Sequence, residues 1–121
     1  MLVNSRTPPF EFDVDMVGAT AVITLSGELD LVVRSALREQ LAEVADKKPD
    51  VVVIDLAAVT FLDCGTAAMT IQTSRLIASG RKPILRSLRP QVRRLLEVAC
   101  LESQCELAGD PSHGILPSQE S

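Results

Sequence analysis

The chain has 121 residues, is 46% hydrophobic and 2% aromatic, and carries a formal net charge of −4 at pH 7. That length suits one domain with a real core and is too short for two, and the apolar content excludes a disordered chain. A net negative chain without Tyr or Trp offers little for base stacking or phosphate contact, and no apolar run approaches the ~18 residues that cross a bilayer.

Phe10 to Val17 alternates apolar and acidic residues, the period-2 pattern of a half-buried strand. Gly18 supplies a turn, and Thr20 to Ser26 reads as a second strand around Val22, Ile23 and Leu25, so the pair predicts an antiparallel hairpin at a sheet edge. Gly27-Glu28-Leu29-Asp30 leaves that strand. From Val32 to Ala45, Val33, Ala36, Leu37, Leu41 and Val44 recur at helical spacing, with Asp30 as the expected N-cap. Pro49-Asp50 turns the chain into Val51-Val52-Val53-Ile54, a β-branched run that predicts a strand covered on both faces. Asp55 to Leu62 is expected to carry the chain off that strand. Asp63-Cys64-Gly65-Thr66 forms a short polar corner, with Thr66 the expected cap of a second helix over Thr66–Ser79 that ends at Gly80 in a left-handed conformation. Pro83 to Ser87 reads as a short strand. Pro90 suits the first position of a third helix that buries Val92, Leu95, Leu96 and Ala99, and Glu106-Leu107-Ala108 closes as an edge strand. An opening hairpin followed by alternating helices and strands predicts a single-domain α/β sandwich. Its sheet is mixed and mostly parallel, with four or five strands and at least three helices. Residues 1–9 and 109–121 are expected to be flexible ends.

The charge is uneven. Residues 75–94 hold seven bases and no acid (Arg75, Arg81, Lys82, Arg86, Arg89, Arg93 and Arg94), whereas residues 95–121 hold five acids and no base. With no nucleic-acid motif present, this segment reads as solvated helix faces and an electrostatic docking patch. The first nine residues lack the apolar centre of a secretory signal, so a soluble cytoplasmic protein is expected. Three scattered cysteines, Cys64, Cys100 and Cys105, argue against a disulfide framework. With no Cys-x-x-Cys and a single histidine, His113, no metal site is expected. No cofactor is expected either, since phosphate-binding glycine loops and dinucleotide fingerprints are absent.

The corner is where chemistry concentrates. A helix start presents unpaired N–H groups and partial positive charge. Asp30 and Asp63 are paired carboxylates in form, but nothing near them completes a catalytic set. A thiol enzyme would need Cys64 with a base, and His113 lies in a Gly/Pro tail. An enzyme is therefore not expected. Cys64 before a helix start is a candidate redox-sensitive thiol, alone or with Cys100. A bridge between them is disfavoured because one cysteine opens a helix and the other closes one, at opposite ends of a parallel sheet.

Three segments together resemble the landmarks of the STAS domain: Gly27-Glu28-Leu29-Asp30, then Val53-Ile54-Asp55-Leu56 leading to Phe61-Leu62-Asp63, then Pro90-Gln91-Val92-Arg93-Arg94-Leu95-Leu96. They stand in the family's order and cover about residues 10–108, and the nearest subgroup is the stand-alone anti-sigma factor antagonists. The resemblance implies a binding module of stress- or sporulation-type signalling. Such a module docks an anti-sigma factor, often a serine kinase with a histidine-kinase-like ATP-binding fold, and so frees a sigma factor. It implies a partner-binding end built from Glu28, Asp30, Asp63, Cys64, Gly65 and Thr66. In the family the corner reads Asp-Ser-Ser(or Thr)-Gly-Leu, and the second hydroxyl accepts phosphate. Here Gly65 stands at that acceptor position, so the acceptor hydroxyl is missing and Thr66 is the nearest candidate. The alternative is a STAS-type scaffold or sensor without phospho-control, responsive to redox through Cys64 or to a small anion or nucleotide.

Overall fold

The computed structural model describes residues 10–108; the ends expected to be flexible, and His113 with them, lie outside the described residues. Phe10–Val17 (β1) and Thr20–Leu29 (β2) form the expected hairpin, in register from Phe10 opposite Gly27 to Val17 opposite Thr20. Arg34–Glu43 (α1) continues as a 3-10 turn over Val44–Lys47 and leads to Val51–Leu62 (β3), which pairs parallel to β2. Cys64–Ile77 (α2), Ile84–Arg86 (β4), Pro90–Val98 (α3), a 3-10 turn at Glu102–Gln104 and Glu106–Ala108 (β5) complete the chain. The sheet has five strands in the order β1-β2-β3-β4-β5, with only the first pair antiparallel.

One face of this sheet carries the core. Ala21, Ile23 and Leu25 of β2, Val52, Ile54 and Leu56 of β3, and Leu85 of β4 alternate into it and are buried. The helices close over them with Leu37 and Leu41 of α1, Ala67 and Ile71 of α2, and Val92 and Leu96 of α3. The expectation that β3 is covered on both faces is not met. Val51, Val53 and Asp55 are only half-buried, alternating with Val52, Ile54 and Leu56. A β-branched run satisfies strand propensity on either kind of face, so it does not by itself report double burial.

Other boundaries shift for physical reasons, and β2 runs on to Leu29 rather than ending at Ser26. β3 does not end near Ile54 but runs twelve residues to Leu62, because β2 keeps pairing with it as far as Leu29 opposite Leu62, across two register irregularities. α1 starts two residues later than expected, after an Asp30–Val33 turn closed by the Val33 N–H donating to the Asp30 carbonyl. α2 starts two residues earlier, at Cys64. At its far end Ser79 and Gly80 both adopt positive φ (55° and 87°), and the Gly80 N–H donates to the Arg75 carbonyl, as a glycine-terminated helix requires. Pro90 occupies the first turn of α3, behind an extended Arg89.

Candidate functional site

β2 and β3 run past the end of β4, whose Arg86 pairs with Asp55, and their tips lie side by side with Glu28 opposite Phe61 and Leu29 opposite Leu62. The Asp63 N–H donates to the Leu29 carbonyl at 3.3 Å, which ties the two loop starts together. At the tip of β3 the chain turns from an extended Asp63 directly into α2. Asp63 is the N-cap: its Oδ1 accepts from the Thr66 backbone N–H at 2.7 Å, taking one of the unpaired donors of a helix start. The expectation that Thr66 caps this helix is thus corrected, because Thr66 is already its third residue.

Asp30 does not cap α1 either. Its Oδ1 accepts from the Val32 N–H at 3.1 Å, an Asx turn that shapes the loop, while Val33 stands at the cap position without a side-chain bond.

Arg34, the first residue of α1, reaches across to this corner. Its Nε donates to Thr66 Oγ1 at 3.0 Å and its Nη2 to Asp63 Oδ1 at 3.2 Å, so an ion pair with both side chains about 30% exposed joins α1 to the start of α2. Burial alone raises the Asp63 pKa, but the hydrogen bonds from the Thr66 side chain and backbone, together with the Arg34 charge, hold its carboxyl below the ordinary value. Thr66 is fully buried, and its carbonyl accepts from the Thr70 hydroxyl at 2.8 Å.

Of the six residues expected at the partner-binding end, all six lie at this end of the sheet. Glu28, Cys64 and Gly65 are exposed, Asp30 and Asp63 are half-buried, and Thr66 is inside. Cys100, the expected redox companion of Cys64, follows the C-terminus of α3, which returns the chain to the opposite end of the parallel strands. Cys64 and Cys100 are exposed free thiols.

The residue reading missed Arg34 and the apolar neighbours of the acids. Leu31 and Val32 are 69% and 85% exposed in the turn after Asp30, and Phe61 is 50% exposed beside Glu28. A signal for the first pair existed, since helical spacing already assigned Val33 inward and left Leu31 and Val32 with no partner. Arg34 had none, because its pairing with Asp63 spans 29 residues. Among the described residues no three of His, Cys, Asp and Glu come together in a way that could hold a metal ion, and no helix is long and apolar enough to cross a membrane.

Comparison with known proteins agrees with this architecture. The family model described as "Mlab, STAS domain" matches residues 12–108. The anti-sigma-F factor antagonist RsfB of Mycobacterium tuberculosis is 39% identical over 62 residues, 51% of this chain and 51% of that protein; the match therefore spans about half the length of that curated relative. A crystal structure of an anti-sigma factor antagonist from Mycobacterium paratuberculosis superposes with a TM-score of 0.73 at 24% identity, covering 85% of this chain and 88% of that one. The anti-sigma factor antagonist SpoIIAA in its unphosphorylated form gives 0.66 at 21% identity, covering 84% and 91%. The phosphorylated form of the Bacillus protein gives 0.60 at 21%, covering 84% and 95%. Likeness at this identity carries the fold, and the matched family model carries the membership: this chain belongs to the STAS domain family.

Proposed function

We propose that this chain is an anti-sigma factor antagonist, which docks an anti-sigma factor through the joined tips of β2 and β3 and so frees a sigma factor for transcription. The observation that carries the reading is the composition of that end. Carboxylates of Glu28 and Asp30 and the exposed α2 start at Cys64 and Gly65 stand with Leu31, Val32 and Phe61 on loops held together by backbone and ion-pair bonds. Exposed large apolar side chains rimmed by charge are the ordinary make-up of a protein-docking surface. The names of the relatives supply the class of partner. An anti-sigma factor with a histidine-kinase-like ATP-binding fold is the partner proposed, and the chain itself performs no catalysis. The reading places the protein in the cytoplasm, where sigma factors act.

A second reading is favoured by one observation. The corner offers a thiol at Cys64, no side chain at Gly65 and a buried hydroxyl at Thr66, which suits a STAS scaffold or sensor module without phospho-control. Affinity capture from the native lysate separates the two. Recovery of an ATP-binding anti-sigma factor, and its loss when Phe61 and Leu31 are both changed to Asp, supports docking through this end. Capture of the same partner undiminished by those changes refutes it.

A further inference from the structure

Gly65 is the second residue of α2, in ordinary helical conformation, and no turn geometry demands glycine there. What occupies the space of a side chain is Arg34. A Cβ on residue 65 would lie 2.6 Å from Arg34 Nη2, 2.9 Å from Cζ and 3.0 Å from Nη1, closer than a carbon packs against such atoms, so the flexible end of the arginine would have to move aside and leave its bonds to Asp63 and Thr66. The guanidinium of α1 therefore fills the place of the side chain that residue 65 lacks. From that place it also donates to both neighbours, Thr66 Oγ1 at 3.0 Å and Asp63 Oδ1 at 3.2 Å.

The consequence falls on the one hydroxyl between Asp63 and Thr66. Thr66 Oγ1 is buried and accepts from Arg34, so an attacking approach by this oxygen on a phosphoryl donor requires the latch to open and the side chain to leave the interior. A phosphate on it would bring roughly −1.5 to −2 charges beside the Asp63 carboxylate. The phosphorylated and unphosphorylated forms of SpoIIAA belong to a fold that this chain shares, which makes the occupancy of this corner the point of difference to test.

We propose that Arg34 and Gly65 form a latch that holds the docking end in one conformation and makes its corner refractory to phosphoryl transfer. Arg34 is a positioning residue here, acting through Asp63 and Thr66. The inference rests on the docking reading for its biological meaning: the antagonist carries no covalent switch at this corner.

Two measurements that use no partner protein test it, so failure of the latch is distinguishable from failure of partner capture. In the first, the chain is isolated with phosphatases inhibited from cells that make it naturally, and the peptide containing Cys64–Thr66 is mapped by mass spectrometry. The unmodified peptide throughout is expected; a phosphoryl group on Thr66 overturns the proposal. In the second, urea unfolding and the Asp63 carboxyl titration by NMR are compared for wild type, Arg34→Ala, Gly65→Ser and the double variant. Gly65→Ser is expected to lower the unfolding midpoint and move the Asp63 titration upward, as Arg34→Ala does, because the new side chain evicts the guanidinium. In the Arg34→Ala background the same substitution is expected to leave the Asp63 titration in place and to raise the midpoint slightly, the ordinary gain of replacing a helical glycine. Additive effects of the two substitutions, or an Asp63 titration that Gly65→Ser alone leaves in place, overturn the latch.

Discussion

Replacing Asp63 by Ala removes two things at once, and a second substitution separates them. The first is the cap on the Thr66 N–H at 2.7 Å, a type of contact whose loss to Ala costs about 1 kcal/mol. The second is the ion pair with Arg34 at 3.2 Å, which at its partial exposure contributes on the order of 0.5 kcal/mol. Together they give a loss of about 1.5 kcal/mol, or roughly 6–12 °C in Tm at ~4–8 °C per kcal/mol for a small domain. Asp63→Asn keeps the capping oxygen and loses only the charge, so it should fall by about a third as much. The pH dependence has a definite sign. The folded carboxyl titrates below its unfolded value of about 3.9, so its contribution is fully present above that value and is lost as pH falls through the lower folded pKa. Thermal unfolding followed by circular dichroism at pH 7 and at pH 3 reads both effects. The gap between wild type and Asp63→Asn should shrink at the lower pH. Equal losses for Ala and Asn, or a gap independent of pH, would refute the assignment of Asp63 as a charged cap.

Other parts of the molecule make separate claims. Ser74 in α2 is fully buried and its hydroxyl has no hydrogen-bond partner among the described residues; Ser74→Ala should leave stability unchanged or raise it by up to about 1 kcal/mol in urea unfolding, and a clear loss would reveal a partner for that oxygen. Burial, helped by the Glu102 charge, pushes the Cys105 thiol up to about 11, while Cys64 and Cys100 are exposed. A disulfide reagent at pH 8 should therefore titrate two thiols quickly and the third only as the chain unfolds. Mild oxidation should leave Cys64 and Cys100 unbridged within one chain; a protected intramolecular pair would contradict the opposite placement of the two helix ends. Phe61→Ser, at a half-exposed strand side chain, should cost about 1 kcal/mol of stability and leave the fold intact, yet weaken partner capture.

The elements were legible because local signals and tertiary needs agree. Alternating Phe10 to Val17, the turn at Gly18 and Pro90 at a helix start each have one economical structure. Of the boundaries that moved, the two helix starts were decided by competing local turns and the end of β3 by pairing far apart in sequence. Asp30 is a good helix cap by type, yet its carboxylate closes a turn onto Val32, and α1 waits for Arg34. Thr66 is a good cap by type as well, but Asp63 caps the helix three residues earlier, accepting from the Thr66 N–H itself. The end of β3 followed β2 rather than its own composition, since Ala57 and Ala58 carry little strand preference. At the site, the acids and the corner were visible as residues. The guanidinium over Gly65 was not, because what stands in the place of that side chain comes from a helix that begins at Arg34, 31 residues earlier in the chain.

The overhang that carries the site creates a structural problem, and the molecule's side chains answer it. Beyond Asp55, β3 has β2 on one side and, among the described residues, no strand on the other, and a lone pair of strands is marginal in water. The seven residues Leu56–Leu62 should fray, and a frayed tip would charge the cost of ordering to every docking event. Instead the open edge is capped where it begins. The Asp55 carboxylate accepts from the Ala57 N–H at 2.9 Å and from Arg86 at 3.0 Å, and Arg89 Nε donates to the Ala57 carbonyl at 3.0 Å. Farther out, the Thr60 hydroxyl donates to the Gly27 carbonyl across to β2, and Arg34 holds the last turn from the helix side. Two of the seven bases between residues 75 and 94, Arg86 and Arg89, are thus consumed in bracing the ribbon rather than displayed for a partner. Glu28 and Asp30 are left as the carboxylates that the braced loops present, and for the docking proposed above electrostatic complementarity asks for a cationic rim on the receiving surface.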